Sequence, residues 1–485
     1  MLPIAILLTL LGGAVAIMIS QNAHRAKMLA LGSGGLAFIL SAVMVAFAGG
    51  EHIRVVVGGP PWNFYLYVTP LSTFMVCLFV GVGLLIIWAS LSMIESEVAP
   101  ERIHIYYALV CVLIATLCGV VILNNFINIF IMMELSSFAA VGLIIIKNKP
   151  ENMHAGLRYL TLSIFGSAFI LMGIVVLHSL TGALSINGIR ESLEFVGNEY
   201  QVRSAVIFFT IGIALKSGLF PLHIAVPDAY ESAPSPSSAL LSGLVQKAYI
   251  FVYIVILHGA IGTQWMHSDP VLSLVLFLVM ITGGAAIIAG SAMALLQPGL
   301  KRMIAYSSIG QVGYLFMGIG LGSQLGLLAV MFHFLAHAIS KSMLFLVAGG
   351  TAMQTQNTSI EKMVGLGRKM RVSMAVFTLG ALSMIGIPLL VGFNSKWFFA
   401  IGIMDSRYIW LLIALGLSSM LNACYYLPIT VRGFFNPTSD EEEIKATERP
   451  RRHLAPVLVL AALIIVLAAF GAPIVNYLQA GIGNI

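Results

Sequence analysis

Apolar runs of about twenty residues, the length a helix needs to cross hydrocarbon, recur along this chain with little more than short turns between them. Of the 485 residues 59% are hydrophobic and 9% charged, whereas soluble domains carry roughly 25% charged residues. The chain therefore reads as an all-α, polytopic membrane protein. Candidate spans fall near 2–20, 28–48, 71–94, 105–123, 125–146, 154–181, 202–220, 238–261, 270–296, 303–321, 325–350, 372–393, 408–432 and 455–479, about fourteen in all. The first, LPIAILLTLLGGAVAIMIS, lacks a preceding basic stretch and reads as a retained helix rather than a cleaved signal. No soluble domain fits anywhere, and the longest polar stretch is FNPTSDEEEIKATERPRR, before the last span.

The net charge of +6 does not form one soluble basic patch, so nucleic acid and acidic substrates are not implied. Loops after odd-numbered helices hold sixteen of the 25 basic residues, from Arg25 and Lys27 through Lys147 and Lys301 to Lys445, Arg449 and Arg452. The other side has four, Arg54, Arg190, Arg203 and Arg407. By the positive-inside rule the sixteen face the cytoplasm and both termini lie outside. The four cysteines, Cys77, Cys111, Cys118 and Cys424, sit in apolar runs without metal-ligand spacing and read as packing residues.

Five basic residues fall inside spans: Arg158, Lys216, Lys247, Lys341 and Lys396. Glu134 is the acidic residue in mid-span, in IFIMMELSSFAAVG. Such groups cost a few kcal/mol each and usually mark ion or proton pathways. Arg158 is only a turn into its span and can snorkel to the headgroups. The lysines and Glu134 are too deep for that.

Two prolines interrupt spans beside this set. Pro221 breaks the seventh just after Lys216, and Pro388 breaks the twelfth just before Lys396. The breaks share a glycine–proline–leucine pattern, Gly218 to Leu222 and Gly386 to Leu389, and lie five helices apart. Interrupted spans at corresponding positions point to a site built from inverted repeats, here helices four to eight and nine to thirteen. The expected organisation is a three-helix segment over 1–104, a first repeat over 105–261, a second over 270–432 and a terminal helix over 455–485. Each break implies polar space, because its freed backbone groups cannot be satisfied by lipid.

Desolvation weakens a buried lysine's hold on its proton, and a nearby carboxylate restores it. At about 4 Å and an effective dielectric near 20 the attraction is about 4 kcal/mol, roughly a thousandfold in proton affinity. A Lys216–Glu134 pair that forms and breaks would thus work as a proton switch, with His223 nearby. The competing reading is a static ion pair. His333, His337 and Lys341 recur at every fourth position of FHFLAHAISKSMLF, a stripe with steps of about 6 Å along one helix face. A proton relay suits this stripe better than structural hydrogen bonding. Zinc is disfavoured because no nearby Glu or Cys completes a site. His178 and His258 sit near span ends and read as interfacial.

These segments resemble the antiporter-like subunits shared by respiratory complex I, Mrp-type sodium/proton antiporters and membrane-bound hydrogenases of the formate hydrogenlyase type. The resemblance rests on LKSGLFPLHIAVPDAYESAPSPSSALLSGLVQKA, KRMIAYSSIGQVGY, HFLAHAISKSMLFLVAG and GIPLLVGFNSKW, and spans helices four to thirteen. It implies that Glu134 and Lys216 are the modulating pair of a first half-channel. It also implies that Lys247 connects the halves, that His333, His337 and Lys341 extend a central polar axis, and that Lys396 holds the terminal position. Asp228 falls in the family's helix-break loop, where it would pair with a neighbouring subunit or stay solvated. The chain would be of the family's shorter type, without a long C-terminal amphipathic helix.

The function expected is proton or sodium translocation within a multisubunit membrane complex, either redox-driven or of Mrp type. No flavin, haem, iron–sulfur or nucleotide motif is present, so no cofactor is expected and any electrons would come from partner subunits. Sodium favours clustered oxygen ligands, whereas this set is rich in lysine and histidine and suits protons better. The alternative is the membrane channel subunit of an inorganic-carbon uptake complex.

Overall fold

The structure, a computed structural model, describes residues 1–47, 53–57, 64–195, 199–436 and 446–483. Every expected span has a helix. Eleven helices among the described residues are long and apolar enough to cross a membrane, from Leu2–Ser20 to Arg451–Ala469. The other three positions depart for visible reasons. Glu199–Ser217 carries Glu199, Arg203 and Lys216. Leu300–Gly320 opens on Lys301 and Arg302 and holds Ser307, Ser308 and Gln311. The twelfth crossing is divided into Arg371–Ile385 and Val391–Met404.

Some details differ from expectation. The second helix starts at Ala23, because nothing in residues 23–27 breaks a helix and Lys27 finds a carboxylate partner. An antiparallel hairpin, Ile53–Val57 with Phe64–Val68, follows it. Its strands are runs of β-branched and aromatic residues, IRVVV and FYLYV. The terminal span divides into Arg451–Ala469 and Gly471–Ile482. Lys445, residues 437–444 of the long polar stretch, the Arg54 side chain and the last two residues of the segment 455–485 lie outside what the structure describes.

Two helices form the axis of the bundle. Ser235–Ile261 and Gln324–Thr355 are buried on all faces over almost their whole length, as expected of helices surrounded by other helices. Peripheral helices instead show lipid-type faces, for example Ile131, Leu135 and Phe138 on Phe126–Ile145. Small residues let neighbouring backbones touch. A Cβ on Gly283 or Gly290 would stand 2.4 Å from a backbone nitrogen of Leu300–Gly320, so Pro270–Leu295 crosses that helix in direct backbone contact.

Ion pairs gather the ends of odd-numbered helices and the starts of even-numbered ones. Lys27 pairs with Glu95 at 2.5 Å and Lys147 with Glu97 at 2.7 Å. Glu97 also accepts from the Ser235 N–H, capping the eighth helix. Burial opposes charge on Glu97, but Lys301, Lys147 and that N–H overcome it and hold its pKa below the usual range. Glu448 caps Arg371–Ile385 through the Val372 and Ser373 N–H groups, and Arg449 donates to Ser92 Oγ. At the opposite end Arg203 pairs with Asp269, the N-cap of Pro270–Leu295, at 2.6 Å. This alternation is what successive crossings require.

Two sequence expectations need correction here. Asp228 is neither solvated nor left for a neighbour: it binds Arg158 at 2.8 Å and Arg302 at 3.0 Å within the chain. The Arg158 side chain is 66% exposed, so it keeps its stem outside while its head finds a carboxylate. His258 is not interfacial. A π-helical segment, Val255–Ile261, turns it inward, where it is 4% exposed.

Candidate functional site

The site begins at the two breaks. Glu199–Ser217 ends where Gly218 adopts φ 69°, and Arg371–Ile385 ends where Gly386 adopts φ 94°. Only glycine takes these left-handed values without strain. The chain resumes as Ala225–Ser232 in the first case and Val391–Met404 in the second. Each break frees carbonyls that lipid cannot satisfy, and each is served by a side-chain amide. Gln246 Nε2 donates to the Ser217 carbonyl at 3.0 Å, and Asn422 Nδ2 donates to the Met384 carbonyl at 3.1 Å. Pro221 and Pro388 both lie within these irregular segments.

At the first break Lys216 Nζ lies 2.8 Å from Glu134 Oε1. It also donates to Ser137 Oγ at 2.9 Å and Ser163 Oγ at 3.1 Å, and it sits 5.4 Å from the centre of the Tyr249 ring. Ser167 donates to the same Glu134 oxygen at 2.5 Å. The lysine side chain is wholly buried, whereas that of Glu134 is 23% exposed. Lys216 comes this close because a Cβ on Gly166 would meet Lys216 Cγ and the Gly212 carbonyl at 2.9 Å. The sixth and seventh helices therefore touch at that level. His223 takes a different direction: its ring lies 5.3 Å from Phe220 and 6.3 Å from Tyr306.

Lys247 stands on the axial helix and is 0% exposed. Its Nζ donates to the Ser242 carbonyl, within a π-helical turn over Leu241–Val245. Such turns widen the backbone ladder and are frequent at functional sites. Electrostatically, Lys247 is in reach of His333, His337 and Lys341.

His333 and His337 stack with ring centres 5.7 Å apart and planes 6° from parallel, which matches the spacing read from the sequence. His333 Nδ1 and Ser395 Oγ share a 2.5 Å hydrogen bond. His333 Nε2 and both nitrogens of His337 have no hydrogen-bond partner among the described residues. Lys341 leaves the stripe. Its Nζ turns to Ser307 Oγ, the Ile304 carbonyl and Tyr426 OH. Beyond Ser395, Lys396 Nζ donates to Ser419 Oγ and the Ile385 carbonyl, both at 2.8 Å, and lies 5.4 Å from the Tyr314 ring centre.

The structure thus brings Glu134 to Lys216, His333 to His337, both histidines toward Lys247, and His333 toward Lys396. It adds residues that spacing did not single out: Ser137, Ser163, Gln246, Tyr249, Ser307, Ser419, Asn422 and Tyr426. A shared signal was present for some of them. The serine doublet follows Glu134 in IFIMMELSSFAAVG and recurs in KRMIAYSSIGQVGY. No cluster of three or more His, Cys, Asp or Glu able to hold a metal occurs among the described residues.

Residues 123–422 match the family described as NADH:quinone oxidoreductase/Mrp antiporter, TM. The chain belongs to this family. Family members similar to it include the NADH-quinone oxidoreductase subunit N of Desulforudis audaxviator, 31% identical with 90% of this chain and 91% of that protein covered. An Na(+)/H(+) antiporter subunit of Alkalihalophilus pseudofirmus is 28% identical over 86% of this chain and 82% of its own. Among solved structures, a chain of the archaeal membrane-bound sulfane sulfur reductase superposes with TM-score 0.88 and 26% identity, covering all of this chain and 96% of that one. A chain of the Mrp complex from Dietzia superposes with the same TM-score at 18% identity, with the same coverage, and shows the common fold.

Proposed function

We propose that this chain is the proton-translocating, antiporter-like membrane subunit of a multisubunit complex, with Glu134, Lys216, Lys247, His333, His337, Lys341 and Lys396 forming its pathway. The observation that carries this reading is the run of buried ionisable groups through both halves of the bundle. Lysines in apolar surroundings are costly, and each of these four makes polar contacts within the bundle. The relatives are named as subunits of quinone-reducing and antiporting complexes, which supports membership in an assembly of that kind. So does Glu134: a carboxylate 23% open on a lipid-type face calls for a neighbouring subunit to cover it. The pathway is dominated by lysine and histidine rather than carboxylate and carbonyl oxygens, which favours protons over sodium. His223, expected in the same pathway, faces Phe220 and Tyr306 rather than the Lys216 pair.

The two halves, 105–261 and 270–432, are proposed as inverted repeats, flanked by the three-helix segment 1–104 and the terminal segment 455–485. The matched amide caps on the two breaks support this. The test of the function is translocation by the assembled complex in liposomes, read with a pH-sensitive dye. The complex should translocate protons, and the isolated chain should show little cation-driven exchange. Robust sodium/proton exchange by the isolated chain would overturn the complex-bound reading.

By the positive-inside rule, the sixteen basic residues after odd-numbered helices support a cytoplasmic location for that end. A reporter fused to the C-terminus should therefore read as external, and a cytoplasmic signal would reverse the proposed orientation.

A further inference from the structure

Each half of the bundle contains the same small hydroxyl assembly, built on a serine doublet. In Phe126–Ile145 both Ser136 and Ser137 donate to the Met133 carbonyl, at 2.7 and 2.9 Å. In Leu300–Gly320 both Ser307 and Ser308 donate to the Ile304 carbonyl, each at 2.9 Å. A buried tyrosine from a helix three further along meets each doublet. Tyr249 OH lies 2.8 Å from Ser136 Oγ and 3.1 Å from Ser137 Oγ, and Tyr426 OH lies 3.1 Å from Ser307 Oγ. A buried lysine completes each group, Lys216 on Ser137 and Lys341 on Ser307.

The chemistry of the serine explains why the three residue types recur together. A hydroxyl has one proton and two acceptor lone pairs. The proton goes to the helix carbonyl, so the oxygen is left to accept from both the lysine and the tyrosine. A protonated lysine, which can only donate, fits such an oxygen. The tyrosine can donate to it or accept from the lysine, so it fills whichever role the lysine leaves open.

We propose that Ser137–Tyr249 and Ser307–Tyr426 are matching cradles, one in each half, and that these four are positioning residues that dock the proton-carrying lysines Lys216 and Lys341. The carriers differ: the first comes from the broken seventh helix, the second from the unbroken axial helix Gln324–Thr355. Their surroundings differ as well. Glu134 stands two residues before the first doublet, and Ala305 occupies that place before the second. Lys216 therefore has a carboxylate competing with its cradle, and Lys341 rests on hydroxyl and carbonyl oxygens alone. The cradles rest on the proton-pathway reading and deepen it, from the carriers to the groups that hold them.

The test uses the assembled complex in membrane vesicles, with proton uptake followed across pH and subunit content checked in every variant. A hydrogen bond to a charged group is worth enough that losing it should cost about tenfold in rate. Ser307→Ala should lose that much and move the pH midpoint of uptake by about one unit. Ser307→Thr, which keeps the oxygen, should restore both to near the parent. Ser137→Ala should do less, because Lys216 keeps Ser163 and Glu134. Tyr426→Phe removes one oxygen atom, carries the same expectation as Ser307→Ala, and decides the matter if the latter does not assemble. Parental rate and pH profile in both Ser307→Ala and Tyr426→Phe would overturn the cradle. Lys341→Met separates the two readings. If it pumps normally, the pathway assignment of Lys341 fails; if it is inactive while the hydroxyl variants are normal, only the cradle fails.

Discussion

Lys247→Met should assemble with the complex and translocate protons about a hundredfold more slowly, or not at all. Methionine has nearly the length and volume of lysine, so the wholly buried position stays filled. What disappears is the ionisable nitrogen on the axial helix, in electrostatic reach of the stacked histidines. The loss leaves only the Ser242 carbonyl without its side-chain donor. Lys247→Arg makes the test sharper, because guanidinium stays protonated in proteins and cannot release a proton to His337. It also brings five N–H donors to a position where one carbonyl accepts from the native lysine. Uptake per complex, normalised to subunit content, is the quantity to measure. Full pumping by an assembled arginine variant would remove Lys247 from the relay.

The elements that could be read from the sequence were those with a strong local cost in hydrocarbon. Lysine and glutamate inside apolar runs are rare enough that Lys216, Lys247, Lys341, Lys396 and Glu134 stood out one by one. Pro221 and Pro388 stood out because each removes a backbone donor. The i, i+4 repeat of His333 and His337 put them on one helix face, about one turn apart, from spacing alone. Hydroxyls are different. Serine and threonine are common in spans and usually satisfy themselves on their own helix, as Ser179 does on Val176. Ser137 and Ser307 carried no signal alone, and their pairing with Tyr249 and Tyr426 crosses more than a hundred positions.

Long-range ion pairing was hidden for the same reason. Asp228 meets Arg158 and Arg302 across 70 and 74 positions, separations at which no spacing rule operates. The π-helical turns at Leu241–Val245 and Val255–Ile261 also lacked a signature, since they depend on how the axial helix packs. The second of them turned His258 from an expected interfacial residue into a buried one. The breaks show both sides of this. Their positions were written in glycine and proline, whereas the amides that stabilise them, Gln246 and Asn422, arrive from helices that only the fold brings near.

Glu134→Gln should assemble and lose most proton translocation, and the double variant with Lys216→Met should recover none of it. The geometry makes assembly the expected result. Lys216 would keep Ser137 and Ser163 as acceptors, and the Gly166–Gly212 crossing that sets its depth does not involve the carboxylate. The glutamate is partly open, so its replacement exposes less uncompensated charge than a fully buried pair would. What changes is the competition at Lys216 Nζ. In the proposed switch, a negative charge 2.8 Å away would hold the proton and moving that charge would release it; with glutamine, only neutral oxygens remain and nothing is left to move. If the pair were merely a strut, neutralising both partners would remove the unpaired charge and restore function. If it is a switch, Glu134→Gln with Lys216→Met removes both the carrier and its control, and uptake stays as low as in either single variant. The measurement is protons moved per complex, with subunit content checked alongside. Recovery of pumping in the double variant would make Lys216 a structural residue and would move the first half's proton carrier elsewhere.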